Sequence, residues 1–266
     1  MKGDGMGAWR VLRALACTLV GIYLIAPLAI VLVISFSSAS FLRFPPPGYS
    51  LRWYANLMND PAWLDAIGVS LQVLLPTAFL STALGTAAAY ALVRGRIRGG
   101  GLIGAFLLTP MVVPSIITAA GLYMLYRWLG LNGTLPGLVI GHVVVTLPYV
   151  VATVGSALRS MDPRLEAAAS VLGATPFAAF RRITLPLLAP AVLSSLLFAM
   201  VLSFDELIIS LFVGSARMRT VPVQMWSNIR GDFDPTVAAI ASLCFLVALI
   251  ALGCEALLRR RNGEKE

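Results

Sequence analysis

Charge is scarce in this chain. Asp, Glu, Lys and Arg make up 12% of its 266 residues, against 59% hydrophobic residues and a mean hydropathy of +0.87. Soluble domains carry about 25% charged residues, so a water-exposed globular protein is excluded at the outset. Histidine occurs once, at His142, which excludes a histidine-rich zinc site and a histidine-based catalytic triad. It is read as a structural or cavity-lining polar residue. The only lysines are Lys2 and Lys265, and neither follows a glycine run with a hydroxyl residue behind it. A phosphate-binding loop is therefore missing, and ATP is not bound in that way by this chain. The three cysteines, Cys17, Cys244 and Cys254, lie in or beside apolar segments without metal-ligand spacing, and are read as packing residues. No catalytic residue, metal or cofactor is assigned.

What the chain has is long apolar runs. Six of them, near 11–35, 66–93, 102–128, 137–157, 188–213 and 237–258, are each long enough to cross about 30 Å of hydrocarbon as a helix. The expected fold class is an all-α integral membrane protein with about six transmembrane helices. The net charge of +8 is a topology signal and calls for no nucleic acid: 14 of the 20 basic residues fall at the two ends and in alternate loops. Positive charge is retained in the cytoplasm, which places both termini and the loop around 159–187 on the cytoplasmic side of the membrane. The domain reading is a cytoplasmic lead at 1–10, one transmembrane domain at 11–258 and a basic cytoplasmic tail at 259–266. A cleavable signal peptide is the competing reading of the N-terminus, but the apolar run is too long for one.

After the first span, Arg43-Phe44-Pro45-Pro46-Pro47-Gly48 predicts an extended element and Ser50 a cap for a short interfacial helix with Leu51, Trp53, Tyr54, Leu57 and Met58. Ala83, Ala87 and Ala91 in the second span, and Gly137 and Gly141 in the fourth, predict close helix approach. Pro27, Pro76, Pro110, Pro114 and Pro148 are expected to interrupt spans. The third span, with Thr109-Pro110 and Pro114-Ser115, is the one expected to bend most.

Two stretches carry function. Asp205-Glu206, behind Ser203-Phe204, lies inside the fifth apolar run, and ionisable residues at membrane depth face a cavity, a pathway or a partner. Ser203, Asp205 and Glu206 are candidates for a translocation path favouring a cationic solute. A hydrogen-bonded helix contact or a break in the span explains the pair equally well. The other stretch is Arg159–Pro190. Asp162-Pro163 and Thr175-Pro176 each give a cap followed by proline, and Gly173 supplies a left-handed helix end. This predicts helix, tight turn, helix, with the second helix stopping before Pro186. Leu165, Ala168, Ala169 and Leu172 share one face and Phe177, Phe180 and Ile183 another. Those faces are buried against the protein's own core or in a groove on a partner.

This hairpin resembles the glutamate-alanine-alanine loop of ABC importer permeases: Glu166-Ala167-Ala168-Ala169, then Gly173, then Ile183-Thr184-Leu185-Pro186 at the motif's spacing from that glycine. Registered on Gly173, the motif's glutamate position holds Ala167, and Glu166 sits one residue early. Leu42-Arg43-Phe44-Pro45, Ser50-Leu51-x-Trp53-Tyr54 and Ser203-Phe204-Asp205-Glu206 are similar to the second permease of spermidine/putrescine-type importers. The resemblance implies a type I importer permease in which Glu166, Ala167, Ala168, Gly173, Ile183, Leu185 and Pro186 form the ATPase-coupling element. It further implies a bacterial-type inner, plasma membrane, separate ATP-binding subunits, a second and different permease, and an extracytoplasmic solute-binding protein. A permease for iron, thiamine or another cation is the nearest alternative; a passive channel and an intramembrane hydrolase are more distant ones.

Overall fold

The computed structural model describes residues 4–95, 97–231, 234–247 and 249. Among these the chain is helical without a named strand, its only β-pairing being the isolated bridges Ser37 to Tyr49 and Ser215 to Met218. The helices are α1 (Asp4–Ser35), α2 (Arg52–Asn59), α3 (Pro61–Arg94), α4 (Gly100–Leu108), α5 (Ser115–Leu129), α6 (Leu135–Ser160), α7 (Arg164–Val171), α8 (Pro176–Ala179), α9 (Leu185–Asp205), α10 (Leu207–Val213), α11 (Val221–Arg230) and α12 (Thr236–Val247).

Among the described residues, four helical runs are long and apolar enough to span: Leu12–Ser35, Pro61–Arg94, Leu135–Ser160 and Pro176–Asp205. The third expected span is a pair of helices, Gly100–Met111 and Ser115–Leu129, turned 103° from one another. Pro110 sits in a 3₁₀ turn and Pro114 caps α5 in an extended conformation, so the bend falls where two prolines remove backbone donors. Pro27, Pro76 and Pro148, by contrast, lie inside α1, α3 and α6 and interrupt none of them. A single lost backbone bond is tolerated in a long helix whose neighbours hold it. Residues 4–10, expected as an irregular lead, are the first turns of α1. The expected sixth span is helical over Thr236–Val247; its remainder apart from residue 249, with Cys254 and the 259–266 tail, lies outside the described residues.

The chain divides into a terminal unit, up to Leu64 and from Met225, and a central unit, Asp65–Gln224. In the terminal unit the end of α1 holds α2 through polar contacts. Ser35 Oγ and Tyr54 Oη lie 2.7 Å apart, and Trp53 Nε1 donates to the Ser37 carbonyl at 2.8 Å. Ser50 Oγ accepts the Arg52 N–H at 3.1 Å, but Ser50 stands one residue before the cap position, which Leu51 occupies. Asn56 Nδ2 donates to Thr236 Oγ1 at 3.0 Å, tying α2 to the start of α12.

The central unit is built on α3, α6 and α9. One core cluster gathers Ala78, Ala89, Val150, Val154, Leu158, Leu188 and Ala199; a second gathers Val69, Val73, Ala119, Tyr126, Leu138, Ile209 and Val213. Lipid is as apolar as these side chains, so close packing and buried hydrogen bonds must hold the helices together. The close approach of α3 to α6 is made at Gly85, where an added Cβ would lie 2.7 Å from Val150 Cβ. The expected alanine stripe is not the contact: Ala83 and Ala87 are exposed, and the buried face carries Ala78, Ser81, Gly85 and Ala89. Nearby, Ser81 Oγ and Thr146 Oγ1 lie 2.6 Å apart in the interior.

Candidate functional site

The hairpin folds as its capping residues dictate. Thr175 caps α8 as expected, its Oγ1 accepting the Ala178 N–H at 3.3 Å. The first arm, α7, starts one residue later than expected, at Arg164 with Pro163 in the cap position, and Asp162 Oδ1 accepts the Arg164 N–H at 2.9 Å from the residue before the cap. Between the arms Gly173 adopts φ +86°, a conformation that costs a residue with a Cβ about 1–2 kcal/mol. Gly173 and Ala174 N–H groups close the end of α7 onto the Ser170 and Ala169 carbonyls, both at 3.0 Å.

The second arm differs from expectation. It does not stop before Pro186: α8 passes through a π-helical turn at Phe180–Thr184 into α9, giving one helical run from Pro176 to Asp205. The Leu185 N–H reaches back to the Phe180 carbonyl, and this widened turn lets the Pro186 ring enter without ending the helix. At 1.5 Å per residue the run measures about 45 Å.

The seven coupling candidates separate by burial. Glu166 and Ile183 are half-buried, as is Leu185, whereas Ala167, Ala168, Gly173 and Pro186 are exposed. The Glu166 carboxylate is engaged within the chain. Its Oε1 accepts a hydrogen bond from Thr184 Oγ1 at 2.6 Å, and its Oε2 lies 3.2 Å from Arg94 Nε. Arg94 also donates through Nη2 to the Met161 carbonyl at 3.0 Å. The end of α3, the start of the hairpin and the root of α9 are thus fastened at one carboxylate. Tyr90 and Phe180 add an edge-on ring contact at 4.8 Å beside it. Of the apolar faces expected on the hairpin, Ala169 is buried and Phe180 and Ile183 are half-buried, while Leu165, Ala168, Leu172 and Phe177 are exposed. Outside those faces Ala179 is buried, and near Gly173 Val171, Leu172 and Phe177 stand 87%, 88% and 71% exposed.

At the other end of the run, α9 stops at Asp205 and α10 starts at Leu207, with Glu206 extended between them at ψ 94°. Glu206 Oε1 accepts the Ile209 N–H at 2.9 Å and so caps α10. Asp205 is exposed, and its carboxylate has no hydrogen bond or ion pair within the described residues. Ser203 is buried and meets His142 Nδ1 at 3.0 Å; Ser210 meets His142 Nε2 at 2.9 Å. Of the three path candidates, then, Asp205 has a free side chain, Glu206 has one oxygen committed to a helix end and Ser203 faces the packed interior. Sequence reasoning missed Arg94, Thr184 and Ser210. Arg94 is one of the 14 basic residues that signal topology, with nothing in its neighbourhood to mark it further, and Thr184 occupies the variable position of the loop motif.

Residues 81–263 match the family described as the binding-protein-dependent transport system inner membrane component. The chain is 36% identical over 229 residues to the putrescine transport system permease protein PotI of Escherichia coli K12, covering 83% of this chain and 81% of that one. It is 33% identical over 251 residues to the spermidine/putrescine transport system permease protein PotC of the same strain, covering 94% and 95%. Among solved structures, a bacterial ABC transporter that imports the acidic polysaccharide alginate superposes with a TM-score of 0.75 at 15% identity, covering 96% of this chain and 98% of that one. A second structure, the alginate transporter in complex with an alginate pentasaccharide-bound periplasmic protein, gives 0.69 at 16% identity, covering 93% and 92%. With well over half its length matched, and relatives above 30% identity along most of it, this chain belongs to the inner-membrane permeases of binding-protein-dependent ABC importers.

Proposed function

We propose that this permease carries polyamines of the putrescine and spermidine class into the cytoplasm, driven by ATP hydrolysed on a partner subunit. The observation that carries this reading is the single helical run from Pro176 to Asp205. At one end stands an exposed apolar tip, Val171, Leu172 and Phe177, and the arms that carry it bear the exposed Arg164, Arg181 and Arg182. At the other stands the Asp205 carboxylate, without a partner among the described residues and of the sign an organic cation needs. A displacement of the tip moves the root of α9, because Glu166 binds α7 to Thr184, and a continuous helix transmits it along the span.

In this reading the hairpin is cytoplasmic and its tip seats in a groove on an ATP-binding subunit, as an amphipathic helix does. A second permease completes the path, and an external binding protein delivers the solute. The cationic substrate is supported by the names of the relatives at 36% and 33% identity and by the exposed Asp205. The structural neighbours carry a polyanion, so the shared fold says nothing of charge selectivity.

Mild-detergent purification of the tagged chain from its native membrane tests the assembly. The reading expects an ATPase, a second permease and a binding protein to co-purify, with that binding protein retaining putrescine or spermidine. Recovery of the chain alone, under conditions where a control transporter stays assembled, would overturn it.

A further inference from the structure

We infer that His142 is a positioning residue that holds the break between α9 and α10 and so sets the direction in which Asp205 is presented. The inference rests on the reading of Asp205 as solute-facing. His142 is fully buried on α6, and its two ring nitrogens bridge the break: Nδ1 to Ser203, two residues before Asp205, and Nε2 to Ser210, four after Glu206. A neutral imidazole donates at one nitrogen and accepts at the other, so one serine accepts and the other donates, and both hydroxyls are oriented by one ring. The ring is itself held. Thr146 Oγ1 donates to the His142 carbonyl at 2.8 Å and contacts Ser81 on α3. Its neighbour Gly141 leaves no room for a side chain, since an added Cβ would lie 2.8 Å from Ile209 Cγ2; the start of α10 therefore rests on the backbone of α6. With Glu206 capping Ile209, the residues on both sides of Asp205 are anchored while its own carboxylate is free.

The test compares Asp205→Asn, His142→Ala and the combined variant in proteoliposomes holding the whole transporter, reading labelled putrescine uptake per assembled complex. Each single change is expected to lower uptake about tenfold, with the combination no lower than Asp205→Asn, because coupled residues do not add. A merely structural defect would add to it, and a combined loss of about a hundredfold overturns the inference. Hydrogen exchange over 203–213 gives a second readout: about tenfold faster in His142→Ala and in the Ser203→Ala, Ser210→Ala pair, with the 164–179 hairpin unchanged. Unchanged exchange at 203–213 overturns the inference. Full uptake by Asp205→Asn would instead sink the solute reading, leaving exchange to decide the bracket. If His142→Ala fails to assemble, the serine pair carries both measurements.

Discussion

Thr184 Oγ1 donates a 2.6 Å hydrogen bond to Oε1 of Glu166, joining the first arm of the hairpin to the root of the helix that the second arm becomes. With Arg94 on the other oxygen, the carboxylate is the junction of three elements. Arg94 and Glu166 side chains are only 15% and 16% exposed, so solvent screens the pair less than a surface one. Removing one partner leaves a half-buried charge without its complement.

Glu166→Ala and Arg94→Ala are each expected to destabilise the purified chain by about 1–3 kcal/mol, and the double variant by no more than the worse single one. Thermal unfolding in detergent measures this. Additive losses would show that the two side chains act independently.

A second expectation concerns the turn. Gly173 has φ +86° with open space where a Cβ would stand, so a substitution there meets no clash and is penalised by backbone conformation alone. Gly173→Asp should leave insertion intact, at a cost of about 1–2 kcal/mol, while uncoupling ATP hydrolysis from uptake. Membrane level, ATPase rate and uptake, measured together, check it; normal uptake at a normal level contradicts it.

The exposed tip gives a third. Leu172→Ser and Phe177→Ser remove apolar surface that touches little within the chain, so stability should change by no more than about 0.5 kcal/mol. Co-purification of the ATP-binding subunit should fall sharply. Retention of that subunit by the double variant would move the docking surface elsewhere.

Gly85 supplies a fourth, on packing. A methyl group at this position would meet Val150 at 2.7 Å, and Gly85→Ala should destabilise the chain by about 1–3 kcal/mol. Val150→Ala in the same chain should return part of that loss, read as a rise in the unfolding temperature.

Local chemistry made much of this legible in the sequence. Caps, prolines and the left-handed glycine of the hairpin act over a few residues, and Gly173 and Thr175 stand where their types predict, with Asp162 one residue ahead of the cap position. The bend at Pro110 and Pro114 is legible for the same reason. What escaped depends on contacts between distant residues. The π turn that carries α8 past Pro186 is stabilised by packing beside Tyr90 and by Thr184 on Glu166, neither visible in the local pattern. His142 meets Ser203 and Ser210 across 61 and 68 residues, and no spacing rule links them. The alanine stripe misled because four-residue spacing marks a face without saying what covers it; Gly85, two residues from Ala83 and Ala87, makes the contact.

We propose ATP-driven polyamine import through a path that includes Asp205. It is tested most directly by labelled putrescine uptake into proteoliposomes containing this chain with its ATPase, second permease and binding protein. The account predicts accumulation only with ATP on the hairpin side and binding protein on the other, reduced about tenfold by Asp205→Asn, the loss of one charge-assisted contact. Uptake without ATP, or none from a complex that hydrolyses ATP in response to its loaded binding protein, would contradict it.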